Sequence, residues 1–137
     1  MLKITKTFTD YDGNSRTEDF YFNLSKAELM KMEMGESGGL EKLLRKIIAE
    51  QDNVQIMKYF DEIISKAYGE KSADGRRFIK SPELTEAFKQ TEAYSEIFMD
   101  LITDAGKAAD FVNQVLPDVS DLPSQVGAEN VTNLSRR

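Results

Sequence analysis

The sequence predicts an α+β fold that is mainly α-helical: an N-terminal β-hairpin, about five amphipathic helices and a flexible C-terminal tail. Changes in hydrophobic periodicity predict this order. Apolar residues alternate with polar ones over residues 3–23, follow helical spacing over residues 25–116, and show no period over residues 117–137. We therefore expect one globular domain at 1–116, followed by a tail that is flexible or is ordered by a partner.

The hairpin is predicted from two extended runs and the turn between them. Residues 3–10 and 16–23 each place their apolar side chains on one face, as half-buried strands do. Asp12, Gly13 and Asn14 lie between the runs and tolerate the positive φ of a tight turn. The two runs should therefore pair as antiparallel strands.

Capping residues and glycines predict where the first helices begin and end. Ser25 and Glu28 form a capping box, and the helix that they open should extend to about Met34. The glycine-rich segment 35–39 ends it, and aliphatic residues at helical spacing from Leu40 predict the second helix.

The third helix should be capped by Asp52 or Asn53 and should end at Gly69. Its apolar stripe comprises Val54, Met57, Phe60, Ile63, Ile64, Ala67 and Tyr68.

Residues 69–80 should form a polar connection with a turn at Asp74 and Gly75 and a short extended piece at 77–79. The remaining helices are predicted at 82–90, 94–102 and 105–116, with Ser81 and Asp104 as caps and Pro117 as the stop.

Composition excludes several classes of chemistry. The chain has 137 residues, 24 acidic and 18 basic side chains, a net charge of −6, and neither Cys nor His. It therefore lacks the ligands of a Cys/His zinc site, a thiol nucleophile, a disulfide and a histidine relay. We expect no enzyme activity, cofactor or metal. The acidity argues against nucleic acid as the ligand, and no segment predicts a secretion signal or membrane span, so a cytoplasmic protein is expected.

Two charged groups are candidate electrostatic contacts with a partner or a second subunit. Glu92, Glu96, Asp100 and Asp104 recur every four residues and form a carboxylate ladder along one side of a helix. Arg76 and Arg77 lie beside the predicted turn, where the bases of the chain concentrate. The alternatives are a solvated helix face and an exposed polar loop.

Met30, Met32 and Met34 form a third candidate surface. Flexible thioethers suit surfaces that accept varied apolar partners, and a glycine-rich loop follows them. This pattern predicts a client-binding surface, although methionines at such positions also fill gaps in a core.

Three stretches resemble the tail assembly chaperones of long-tailed bacteriophages. They are YGEKSADGRRFIKS from Tyr68, TEAF from Thr85 and TEAYSEIFMDL from Thr91. The likeness covers about residues 40–117 and contains no catalytic signature.

The resemblance implies a non-enzymatic protein of the host cytoplasm. It would bind and solubilise the tape-measure protein, help to recruit tail-tube protein and self-associate. Such chaperones are often made in a short form and a longer, frameshifted form, of which this chain resembles the short one. The alternatives are a structural component of the virion tail or connector, and a small acidic regulatory or inhibitor protein.

Overall fold

The computed structural model describes residues 1–32 and 39–117, and within these ranges it contains four strands and six helices. The predicted α+β class and element order are confirmed. Met34, residues 35–38 and residues 118–137 of the predicted tail lie outside the described residues. The elements are β1 (Leu2–Thr9), β2 (Ser15–Phe22), α1 (Lys26–Met32), α2 (Gly39–Glu50), α3 (Asn53–Ala67), β3 (Tyr68–Lys71), β4 (Phe78–Ile79), α4 (Pro82–Lys89), α5 (Glu92–Thr103) and α6 (Ala105–Val115).

Strands β1 and β2 form the predicted hairpin, in antiparallel register from Leu2 opposite Phe22 to Thr9 opposite Ser15. The turn is closed by the Asp10 N–H, which donates to the Asn14 carbonyl at 2.8 Å, and Gly13 has a φ of 87°. A residue without Cβ adopts this φ at little cost, so the glycine fixes the turn.

The polar connection at 69–80 contains a second, smaller hairpin, which extends the sheet to the order β1-β2-β3-β4. Strand β4 overlaps the predicted extended piece, but β3 was not predicted. The expectation that Gly69 ends the third helix was wrong. That helix ends at Ala67, and Gly69 pairs with Tyr21 of β2. A Cβ on Gly69 would lie 2.7 Å from the Phe78 ring, so the glycine permits a close approach of the two strands.

Side-chain caps open the helices at the predicted residues. The Ser25 N–H donates to Glu28 at 2.8 Å and the Glu28 N–H donates to the Ser25 hydroxyl at 3.1 Å, which confirms the capping box. Asp52, Ser81 and Asp104 accept from backbone N–H groups in the first turns of α3, α4 and α6. Local capping signals therefore define most helix starts.

The helices cover one face of the sheet, and the buried apolar residues form one cluster. The Phe22 ring lies at its centre, within 6 Å of the rings of Tyr68, Phe88 and Phe111. Part of the predicted stripe of α3 is not buried: Val54 is 70% and Met57 43% exposed. The buried face of α3 comprises Ile56, Phe60, Ile63, Ile64 and Ala67 at helical spacing, and Val54 and Met57 lie off this stripe.

Candidate functional site

The predicted carboxylate ladder lies on α5, which packs against α6, α3 and strand β1. The Asp100 carboxylate is 2.6 Å from the Lys6 ammonium and 3.8 Å from the Lys107 ammonium. Glu92, two turns earlier, accepts a hydrogen bond of 3.0 Å from the Tyr11 hydroxyl, and this bond raises the pKa of Tyr11. Two of the four carboxylates thus attach the helix to the hairpin.

The other two carboxylates have different environments. Asp104 accepts from the Lys107 N–H at 3.1 Å as the cap of α6. Glu96 is exposed and has no ion pair within the described ranges. The ladder is therefore divided between intramolecular contacts and one carboxylate that is available to a partner. Its role in binding stays a prediction.

Arg76 and Arg77 lie in the turn between β3 and β4. This turn is organised by Asp74, which accepts from the Ser72 hydroxyl at 2.7 Å and the Arg76 N–H at 3.1 Å. These hydrogen bonds lower the pKa of Asp74, and the bond from Ser72 has the larger effect. The Arg76 side chain is 82% exposed. Both arginines therefore present their charge to solvent.

The fold does not bring the arginines to the carboxylate ladder. Strand β4 lies at one edge of the sheet and β1, which α5 covers, lies at the other. Among the residues that the structure describes, no ion pair joins the two groups. An electrostatic contact between them would need two molecules.

The predicted methionine surface is only partly described. Met30 and Met32 are half-buried, and Met32 packs against the core. More exposed apolar side chains occur elsewhere, at Met57 and at Met99, which is 48% exposed. The sequence contains a signal for Met99: it ends a run of three apolar residues on a helix, whose side chains point in different directions. Because neighbouring residues of a helix point about 100° apart, the three cannot all face the core.

A polar contact that was not predicted joins α3 to α5. The Tyr94 hydroxyl donates to Asp61, and the Lys89 ammonium lies 3.4 Å from the same carboxylate oxygen. Burial, and then the hydrogen bond to Asp61, raise the pKa of Tyr94. This group joins α3, α4 and α5.

Neither a metal site nor a membrane span is found in the described ranges. Across residues 1–32 and 39–117, no group of three acidic side chains is placed to hold a metal ion. No helix in these ranges is long and apolar enough to cross a bilayer.

Arginine and methionine are enriched at protein–protein interfaces, so the exposed arginines and methionines suit a protein that binds other proteins. Comparison with known families is more specific, because the phage tail assembly chaperone family matches residues 1–133. The chain belongs to this family. The match includes the hairpin, so it extends beyond residues 40–117, which carry the resemblance in the sequence.

No curated protein and no solved structure was found to match the chain. Family membership gives the chain a chaperone role in phage tail assembly, which requires interaction with phage tail proteins. Such a role indicates binding rather than catalysis.

Proposed function

We propose that this chaperone binds apolar helical segments of the tape-measure protein in the host cytoplasm, keeps them soluble, and assists the assembly of tail-tube protein around them. Family membership over residues 1–133 is the observation that carries the proposal. Several copies would bind along one long client, so self-association on the client is part of the proposal.

The charge and the apolar surface support this role physically. A net charge of −6 favours solubility of a complex that contains an apolar client. Met30 and Met32 remain partly accessible at the end of α1. Thioethers adapt to different apolar side chains, so we propose Met30, Met32 and Met34 as the client-binding surface, in the helix-in-groove mode.

Co-expression with the tape-measure protein tests the main proposal. The client should move from the insoluble to the soluble fraction and co-elute with the chaperone in size-exclusion chromatography. An unchanged client solubility together with no co-eluting complex would reject the proposal. Mass spectrometry of purified virions should find the chaperone absent, whereas a stoichiometric amount would favour a structural component.

Two triple variants test the methionine surface. Met30→Gln, Met32→Gln and Met34→Gln together should abolish the gain in client solubility, while the three Met→Leu changes should preserve it because they keep the surface apolar. Circular dichroism must show that each variant folds. Val54→Gln with Met57→Gln is the control, since it removes two exposed apolar side chains elsewhere. Equal loss in the control and the test variant would contradict the assignment.

A further inference from the structure

Strand β1 forms one edge of the sheet, and half of its backbone polar groups point away from β2. The Asp10 N–H donates to the Asn14 carbonyl, so these two opposite residues form a hydrogen-bonded pair. Phe8 and Arg16 are the next pair but one in the same register. Hydrogen-bonded and non-hydrogen-bonded pairs alternate in an antiparallel ladder, so the even-numbered residues of β1 bond to β2. The outward N–H and C=O groups therefore belong to Lys3, Thr5, Thr7 and Thr9.

This outer edge is accessible. All four residues are exposed, and within the described ranges no hydrogen bond joins their backbone groups to another element. The Thr5 hydroxyl donates to Asp19 at 2.6 Å, and the Thr7 and Thr17 hydroxyls are 2.8 Å apart. These side-chain contacts with β2 help to hold β1 extended. An exposed edge strand of eight residues is a template for an added strand.

Helix α5 determines which strand would fit this edge. Asp100 contacts Lys6 in β1, and Glu92 contacts Tyr11 just after β1. Glu96 lies one helical turn from each of these anchors, on the same side of α5, and is exposed without an ion pair in the described part of the chain. Met99, on the adjoining solvent-facing side, is 48% exposed. The helix under the edge thus offers a free carboxylate and an apolar surface.

We propose that the open edge of β1 binds an extended segment of another protein as an additional strand. Its side chains toward α5 would alternate between basic residues, which pair with Glu96, and apolar residues, which cover Met99. A second copy of the chain is a poorer occupant, because it would bring its own α5. Glu92 and Glu96 of one copy would then face the same two carboxylates of the other copy and repel them. This proposal does not depend on tape-measure binding, in which the client is helical.

A peptide titration observed by NMR tests the proposal with the full ¹⁵N-labelled chain. The probe is an acetylated, amidated octapeptide in which every second residue is threonine. The residues between the threonines are lysine and leucine in turn. The amides of Lys3, Thr5 and Thr7 should shift and exchange more slowly when it binds. A peptide with glutamate in place of lysine should bind about tenfold more weakly, because it meets a like charge. Glu96→Gln should reduce this preference.

Thr7→Pro and Thr17→Pro are matched variants. Both remove the same cross-strand hydroxyl contact, but only Thr7→Pro removes an N–H from the β1 edge. Thr7→Pro should abolish binding and Thr17→Pro should preserve it. If either variant fails to fold, the shifts of the Lys3, Thr5 and Thr7 amides in the unaltered chain decide whether the peptide binds at this edge. The proposal is wrong if the β1 amides do not respond, if both peptides bind equally, or if protection grows with chaperone concentration alone, which would indicate a second copy.

Discussion

The ammonium of Lys6 lies 2.6 Å from the carboxylate of Asp100, so the first strand and the fifth helix are joined across 94 positions of sequence. Both side chains are partly shielded from solvent, and Lys107 approaches the same carboxylate oxygen at 3.8 Å. Partial shielding strengthens such a pair relative to one in open water. This contact therefore helps to hold the hairpin on the helical layer.

Asp100→Asn should lower the free energy of unfolding by about 0.5–1 kcal/mol, the range of a partly exposed ion pair. The loss, measured by urea denaturation, should shrink at high salt because ions screen the attraction. Glu96→Gln on the same helix is the control and should change stability by less than about 0.5 kcal/mol. Equal losses would show that the helix charge, rather than the ion pair, matters.

Asp104→Ala should destabilise the protein by about 1 kcal/mol, because the first turn of α6 loses its cap. Asp104→Ser should retain most of the stability, since the serine hydroxyl can accept from the same N–H. Thermal or urea unfolding of the two variants makes this comparison. If Ala and Ser substitutions were equivalent, the capping bond would not contribute.

Local signals explain why most elements could be predicted from the sequence. The Ser25–Glu28 box and the caps at Ser81 and Asp104 depend on residues within one helical turn, so their pattern is visible in the chain. Strand β3 was missed because it is four residues long and is defined by pairing with β2, far away in sequence. Short strands with distant partners leave little local pattern.

The same distinction applies to the candidate residues. The spacing of Glu92, Glu96, Asp100 and Asp104 predicted a common helix side, and the structure places all four on or at the end of α5. Their partners Lys6 and Tyr11 come from the hairpin, so the sequence could not show which carboxylates are occupied. Tertiary packing decides that Glu96 alone of the four has no hydrogen bond or ion pair with its side chain in the described residues.

Glu28→Gln should remove part of the acid sensitivity of the fold. Burial raises the pKa of Glu28, but the Lys80 ammonium at 2.8 Å and the Ser25 N–H outweigh it, so the pKa of this carboxyl is below its ordinary value of 4.5. A carboxylate with a lowered pKa in the folded state stabilises the fold above pH 4.5, and this contribution is lost as the pH falls through the folded-state pKa.

The unfolding free energies of the unaltered chain and Glu28→Gln should therefore differ most near neutral pH and converge in acid. Urea denaturation across the pH range measures this difference. Glu62→Gln changes an exposed carboxylate without a hydrogen bond or ion pair in the described ranges, and should give a constant, small difference. A constant difference for Glu28→Gln as well would contradict the role of its contact with Lys80.

Gly69→Ala should be the most destabilising of these substitutions, at about 1–3 kcal/mol, the usual cost of overpacking a core. The new Cβ would lie 2.7 Å from the Phe78 ring and 2.8 Å from the Ile79 carbonyl oxygen, so β4 would have to move away from β3. Phe78→Leu in the Gly69→Ala background should recover part of the loss, because it removes the ring while the carbonyl contact remains. Urea denaturation of the two single variants and the double variant measures this coupling. Additive losses would mean that Gly69 is required for something other than the close approach of the two strands.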